Sequence, residues 1–352
     1  MKKKLIILSA TLLLLSCLSS KFNLVIEQGF FLIGFFIIAS LLLSYTEKYK
    51  GFSFTAIILA AVSTSMFFPE NLKEIKGFEF QVLIVPLLQI IMFGMGTSMS
   101  FKDFFGVVKM PKGVVIGLIC QFTIMPLLGF SLASIFNFPS EIAAGIILIG
   151  CSPSGLASNV MAYLSNANVA LSITLTAFST LLAPVITPFL MKFFAGSFVP
   201  IDFYGIMFSI FKIVLIPVLI GLIFHYYFHG KFKWFDKSLP VISMAAITII
   251  IMIITASGRD SLLEVGILLI IVAIIHNIMG YFLGYWSSRL IGLKEQDCRT
   301  IAFEVGMQNG GLATGIALEM GKVGTVGLAP AIFGPWMNIS GSSLATWWRK
   351  KN

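Results

Sequence analysis

The sequence predicts an all-α polytopic membrane protein, and three observations lead to that prediction. Of its 352 residues, 58% are hydrophobic and only 11% are charged, which is too little polar surface for a water-soluble globule. Apolar stretches of about twenty residues, the length that crosses a bilayer as a helix, recur along the whole chain. Lysine and arginine fall mainly in the short segments between those stretches, where they set the orientation of the chain.

The first fifty residues hold one or two hydrophobic segments in addition to the main region at 51–348. Residues 1–17 combine a basic start, a short apolar core and a small residue before Cys17, which is the shape of a bacterial lipoprotein signal. An uncleaved span is the alternative, because a second apolar stretch at 24–45 would allow the two to pair as a hairpin.

Ten further spans are predicted from the apolar pattern. Their approximate bounds are 52–68, 81–100, 113–136, 141–164, 168–196, 203–228, 239–257, 261–286, 299–319 and 323–347. Basic residues at 102–112, 231–237 and 289–299 and at the C-terminus all fall on one side if each span crosses once. The positive-inside rule makes that side cytoplasmic, so we expect a multi-pass protein of the inner (cell) membrane with a cytoplasmic C-terminus.

An internal repeat appears when the ten spans are divided into five and five. Because five is odd, the second half enters the membrane from the opposite face, which gives the inverted-topology symmetry of secondary transporters. The spans at 141–164 and 299–319 are then partners, and both are interrupted by polar residues, proline or glycine. Two broken helices in matching positions are the best pointer in a sequence to a binding site.

The stretch from Ile301 to Met320 places a carboxylate, Glu304, inside an apolar run, followed by Gln308, Asn309 and a glycine doublet. An ionised carboxylate at membrane depth costs several kcal/mol unless it is paired, which makes Glu304 the first functional candidate. The glycine doublet is expected to weaken the helix and to free backbone carbonyls as ligands. The alternative is a helix whose polar face only packs against its neighbours.

Two sets of oxygen atoms around Glu304 are predicted to bind a small hard cation such as sodium, which takes oxygen ligands. The first set is Ser158, Asn159, Ser172, Thr176 and Glu304. The second set is Gln121, Glu304, Gln308 and the carbonyls near Val305 and Met307. For Ser172 and Thr176, which lie one helical turn apart, interhelical hydrogen bonding is the alternative.

The second half of each broken span begins with free N–H groups at the positive end of a helix dipole, which attracts an anion. An organic carboxylate is expected there, and Asn309, Ser154 and Asn338 are candidate donors to it.

The charge distribution, the cysteine spacing and the lack of a P-loop argue against nucleic-acid binding, structural zinc and direct use of ATP. No nucleic-acid partner is predicted despite the net charge of +9, because the basic residues sit in the loops. The four cysteines lack the spacing of a zinc site or a disulfide framework, and no P-loop indicates direct use of ATP. We expect no cofactor apart from Na⁺ as the coupling ion.

Five motifs, taken together, resemble the bile acid:sodium symporter family over about Phe52 to Trp348. They are GCSPSGLASNVMAYLSNANVALSITLTAFSTLLAPVITP, QFTIMP, HNIMGY, FEVGMQNGGLA and WMNISGSSLA. The resemblance implies ten spans in two inverted repeats, with two broken helices crossing at mid-membrane beside two sodium sites. It also implies a panel domain at about 52–100 and 202–257 and a core domain at about 112–196 and 261–347. The implied sodium sites fall on the two oxygen sets described above.

The substrate side departs from the family pattern. Ser154 replaces a glycine and Leu156 replaces a threonine in the motif that many relatives read as PGGTASN, and Met337 stands where relatives often have histidine. These changes predict a less polar, slightly tighter pocket, so the substrate stays open among bile acids and small carboxylates.

The sequence as a whole predicts a sodium-coupled symporter of an organic anion, bile acid-like or a small monocarboxylate such as pantoate or pyruvate, that acts by alternating access as a monomer. The alternative on the same fold is a proton-coupled carboxylate transporter or antiporter, with Glu304 as the proton carrier. An intramembrane enzyme using Ser158 as nucleophile is disfavoured because no activating base can be found for it. A sensor that binds ligand without transport is a further alternative.

Overall fold

The computed structural model describes residues 2–21, 24–45, 51–228, 231 and 233–350, and nearly all of them are helical. The helices are α1 (Lys2–Lys21), α2 (Val25–Ser44), α3 (Gly51–Phe67), α4 (Glu70–Lys73), α5 (Ile84–Thr97), α6 (Phe101–Phe104), α7 (Gly106–Lys109), α8 (Pro111–Ile135), α9 (Ser140–Cys151), α10 (Ala157–Leu164), α11 (Val169–Ala195), α12 (Phe203–Ile210), α13 (Ile216–Phe228), α14 (Lys233–Ser257), α15 (Arg259–Leu290), α16 (Glu295–Gly306), α17 (Gly310–Glu319) and α18 (Leu328–Arg349). A 3₁₀ turn at Phe80–Leu83 leads into α5, and a π-helical turn at Phe211–Leu215 joins α12 to α13.

The length and composition of these helices fit an all-α polytopic membrane protein. Within the described ranges, seven helical stretches are long and apolar enough to cross a membrane. They are Val25–Ser44, Phe80–Thr97, Pro111–Ile135, Val169–Ala195, Phe203–Phe228, Ser238–Ser257 and Arg259–Leu290. The predicted count of ten spans and the inverted repeat remain predictions.

One loop differs from the all-α expectation. Residues Glu74–Ile75 (β1) and Phe78–Glu79 (β2) form a two-stranded antiparallel hairpin between α4 and the 3₁₀ turn. The two turn residues, Lys76 and Gly77, have φ values of +50° and +83°, as a two-residue hairpin turn requires. This hairpin was not predicted from the sequence, because two residues per strand leave no readable alternation.

The N-terminal segment extends the bundle as a helical hairpin. Helix α1 packs against α2, and α2 packs against α3. The Ser16 hydroxyl donates to the carbonyl of Gln28 at 3.3 Å, and the hydroxyls of Ser40 and Ser53 lie 2.9 Å apart. Small polar residues therefore let these helices approach closely.

Two short helices lie at the centre of the packing. Every residue of α9 from Ile142 to Cys151 is buried, as is every residue of α16 from Cys298 to Gly306. Helix α9 is surrounded by α8, α11 and α18, and α16 by α15, α8 and α10. Both helices end at an interruption of a predicted span, so these interruptions lie in the interior of the protein.

Candidate functional site

The two interrupted spans cross each other through their non-helical segments, residues 152–156 between α9 and α10 and residues 307–309 between α16 and α17. Ser154 lies opposite Gln308 in an antiparallel backbone bridge. The Gly155 N–H donates to the carbonyl of Met307 at 2.9 Å, and the Asn309 N–H donates to the carbonyl of Pro153 at 2.8 Å. These bonds give partners to backbone groups that the broken helices would otherwise leave unpaired. We call this arrangement the crossing.

Local sequence explains where each helix stops. Proline disfavours the helical conformation of the residue before it, and Ser152, which precedes Pro153, is extended with φ −76° and ψ 154°. The second interruption begins at Met307, with φ −111° and ψ 100°. The glycine doublet lies just after the interruption and belongs to the next helix, because Asn309 caps that helix through Leu312 N–H at 3.0 Å and α17 begins at Gly310.

Glu304 lies on the last turn of α16 with 1% of its surface exposed, and four hydroxyls lie within hydrogen-bond distance of its carboxylate. Ser158 and Ser172 each approach Oε1 at 2.5 Å. Thr176 lies 3.2 Å from Oε1 and 3.0 Å from Oε2, and Ser154 approaches Oε2 at 2.6 Å. We refer to these five residues, with Asn159, as the Glu304 cluster.

Asn159 joins the cluster through its side-chain oxygen. Its Oδ1 lies 2.8 Å from the Ser172 hydroxyl and 3.2 Å from the Thr176 hydroxyl. Each hydroxyl has one proton, so Ser172 and Thr176 can donate either to Asn159 or to Glu304. All members of the first predicted set therefore lie together, and they come from α10, α11 and α16.

The Glu304 cluster offers only oxygen atoms and a single carboxylate. Among the residues that the structure describes, no salt bridge includes Glu304. A buried, unpaired carboxylate is costly, and hydroxyl donors offset only part of that cost. Small hard cations prefer such oxygen ligands, so the arrangement can hold one.

The second predicted set forms a neighbouring amide network. Gln121 Nε2 lies 2.8 Å from the carbonyl of Ser152 and 2.8 Å from Gln308 Oε1, and Gln308 Nε2 donates to the carbonyl of Val305 at 2.6 Å. The Met307 carbonyl belongs to the crossing. The structure thus brings these four residues together, but within the described residues no hydrogen bond joins them to the carboxylate of Glu304.

The residues predicted to contact substrate divide into two groups. Ser154, Leu156 and Asn309 lie at the crossing, although the Ser154 hydroxyl is directed to Glu304 and the Asn309 oxygen to a helix cap. On α18, Asn338 donates to the carbonyl of Gly334 at 3.0 Å, and Met337 is 7% exposed. No hydrogen bond in the described part of the chain links Asn338 or Met337 to the other three.

A polar contact one turn from the Glu304 cluster was not predicted from the sequence. Asn168 caps α11 through Leu171 N–H at 3.1 Å, and its Nδ2 donates to Asp297 Oδ1 at 2.7 Å. The Thr300 hydroxyl donates to the carbonyl of Asn168 at 3.0 Å. Asn168 and Thr300 precede Ser172 and Glu304, respectively, by four residues, so this contact aligns the same faces of α11 and α16. A sequence signal was available, since polar residues recur at that spacing on both spans.

Replacing Asn168 with alanine is expected to lower stability and to weaken cation binding. The variant loses a helix cap and a hydrogen bond to a carboxylate, together about 2 kcal/mol. We expect a lower melting temperature in detergent, and a rise of about threefold in the sodium concentration that gives half-maximal stabilisation, because α11 and α16 lose a contact that aligns the cluster. A threefold rise corresponds to about 0.6 kcal/mol. Asn168→Ser keeps a capping oxygen and should recover part of the loss. A melting temperature equal to that of the wild type would contradict this role.

Comparison with known proteins shows similarity to sodium-dependent transporters. The family model described as "Sodium Bile acid symporter family" matches residues 85–265. Over 303 residues the chain is 41% identical to an uncharacterized sodium-dependent transporter of Bacillus subtilis, covering 86% of this chain and 92% of that protein. It is 34% identical over 263 residues to a probable chloroplast sodium/metabolite cotransporter of Arabidopsis thaliana, covering 75% of this chain and 66% of that protein. It is 35% identical over 251 residues to the ileal sodium/bile acid cotransporter of Homo sapiens, with coverages of 68% and 70%.

Proposed function

Because the chain belongs to the sodium bile acid symporter family, we propose that it uses a sodium gradient to import an organic anion as a secondary active transporter. Its relatives are named as sodium-dependent transporters and cotransporters, and the chain is a membrane transporter rather than an enzyme. The proposed substrate is a bile acid-like anion or a small monocarboxylate such as pantoate or pyruvate. The names of the relatives, which include both bile acid and metabolite cotransporters, support that range.

The observation that carries the proposal is the Glu304 cluster. A carboxylate that is 1% exposed, surrounded by hydroxyls and placed where the two broken helices cross, favours a bound cation that would balance its charge. We assign the first sodium site to Ser158, Asn159, Ser172, Thr176 and Glu304. We assign the second to Gln121, Glu304, Val305, Met307 and Gln308. Na⁺ acts as the coupling ion, and no other cofactor is proposed.

The anion would bind at the crossing, near the first turns of α10 and α17, whose N–H groups favour negative charge. Asn309, Ser154, Leu156, Asn338 and Met337 are the proposed substrate contacts. With leucine and methionine at two of these positions, the pocket favours a substrate with apolar surface next to its carboxylate.

Alternating access would follow from sodium binding. We propose that sodium neutralises Glu304 and favours one conformation of the two broken spans, after which a core domain at 112–196 and 261–347 moves against a panel domain at 52–100 and 202–257. The backbone bonds of the crossing support this view, because they join the two broken spans into one unit. We further propose that the protein has ten spans in an inverted repeat and a cytoplasmic C-terminus, and that it acts as a monomer in the inner membrane.

Uptake into proteoliposomes tests the proposed function. Labelled taurocholate, pantoate and pyruvate are each offered with an inward sodium gradient, with choline replacing sodium as the control. Accumulation of one of them only with sodium is the expected result. Uptake that is insensitive to sodium but changes with external pH would instead favour proton coupling. Ligand binding without transport would favour a sensor.

A further inference from the structure

We propose that Ser154 is an additional ligand of the sodium ion at the first proposed site, and that it contacts this ion on the Oε2 side of Glu304. This inference rests on the proposed function, because it concerns the same ion site. It gives Ser154, which is also one of the proposed substrate contacts, a separate role in binding the ion.

The contacts of the Ser154 side chain carry the proposal. Ser154 is 1% exposed, and its hydroxyl lies 2.6 Å from Glu304 Oε2. Ser158 and Ser172 reach only Oε1, so Ser154 and Thr176 are the hydroxyls that hold the second carboxylate oxygen. A cation bound to Oε2 would therefore meet Ser154 Oγ as a neighbouring oxygen.

The single proton of the Ser154 hydroxyl leaves lone pairs available for that cation. An ionised carboxylate oxygen can only accept, so the proton of Ser154 is directed to Oε2. Its other neighbour, the Ser179 hydroxyl at 3.1 Å, has an alternative acceptor in the carbonyl of Thr176, also at 3.1 Å. When Ser179 donates to that carbonyl, both lone pairs of Ser154 are free to bind an ion.

A second observation lies one turn along α11. The Thr180 side chain is 1% exposed, and its hydroxyl has no hydrogen-bond partner in the part of the chain that the structure describes. Residues four apart share a helix face, so Thr180 neighbours Thr176 of the Glu304 cluster. A buried polar group without a protein partner is commonly explained by a bound ion or water, which supports a bound species beside this cluster.

The number of ligands gives the expected consequence. By analogy with other hard cations, sodium takes roughly five or six oxygen ligands. The first proposed site draws on five residues, and Ser154 raises that number to six without adding charge. Removing the Ser154 hydroxyl should therefore weaken sodium binding while leaving the site able to function.

The test compares Ser154→Ala with Ser288→Ala in the full chain. Ser288 on α15 is also buried, but its hydroxyl bonds within its own helix, to the carbonyl of Gly284 at 2.8 Å or that of Tyr285 at 2.7 Å, and does not contact Glu304. The readout is the sodium concentration that gives half-maximal thermal stabilisation in detergent, with choline keeping the ionic strength constant. We expect this concentration to rise about tenfold in Ser154→Ala, the effect of losing one good ligand, and to stay unchanged in Ser288→Ala.

A second variant separates a ligand role from a packing role. Ser154→Cys keeps the size of the side chain but offers sulfur, a poor ligand for a hard cation, so its sodium response should also shift. Unchanged sodium half-saturation in both variants would overturn the proposal, as would a change confined to the half-saturation of the transported anion. If sodium does not stabilise the wild type, the proposed sodium-coupled function is contradicted, and this inference is contradicted with it.

Discussion

Replacing Glu304 with glutamine is expected to abolish sodium-dependent uptake. Glutamine has nearly the same shape and can still bond to the surrounding hydroxyls, but it carries no charge to balance a cation. Removing one partner of a buried charge pair costs about 3–5 kcal/mol, which is roughly 100-fold or more in affinity. Sodium-driven uptake in proteoliposomes should fall to background, and the stabilisation of the protein by sodium should disappear.

A matched control for this experiment lies on the same interrupted span. Glu319, at the end of α17, is exposed, so Glu319→Gln makes the same chemical change outside the Glu304 cluster. That variant should transport like the wild type. Sodium-dependent transport by Glu304→Gln at the wild-type rate would refute the assignment of the ion site.

Replacing Gly155 with alanine is expected to open the crossing and to reduce transport strongly. A Cβ atom at this position would lie 2.8 Å from the Gln308 carbonyl oxygen and 3.3 Å from its carbon, and backbone atoms cannot rotate away. The crossing would have to widen, which strains the bond from Gly155 N–H to the Met307 carbonyl. Overpacking of this kind costs about 1–3 kcal/mol, so we expect a lower melting temperature and at least tenfold slower uptake.

Gly334→Ala provides the comparison. Gly334 lies inside α18, and a Cβ atom there would meet nothing within 4 Å. Alanine should be neutral or slightly stabilising at that position, because glycine is the weaker helix former. If Gly155→Ala melts and transports like Gly334→Ala, the close backbone approach at the crossing is not required for function.

The location of the Glu304 cluster could be predicted because its members contrast with their surroundings. Glu304, Ser158 and Asn159 are polar residues inside apolar runs, and Pro153 marks the first interruption. The second interruption was harder to place. The glycine doublet predicts a weakened helix without fixing where it stops, and the side chain of Asn309 starts the next helix at Gly310. Such a cap depends on backbone geometry that composition does not reveal.

The direction of the Ser154 side chain could not be read from the sequence. In a helix the spacing of residues fixes which side chains share a face, but Ser154 lies in a non-helical segment, where that rule does not apply. The contact of Asn168 with Asp297 and Thr300 was predictable in principle, since Asn168 and Thr300 lie four residues before Ser172 and Glu304. It was missed because residues at the ends of spans are commonly polar for reasons of solvation alone.

Among the residues described, no cationic side chain is bonded to Glu304. This feature has a consequence for how the membrane potential would act on transport. With Glu304 ionised, the empty site would carry one negative charge, and the proposed site, loaded with two sodium ions and a monovalent anion, would carry none. The membrane potential would then act on the return of the empty protein and not on the import step. Full transfer of one charge is worth about 2.3 kcal/mol per 100 mV, so an inside-negative potential would speed the resetting of the transporter.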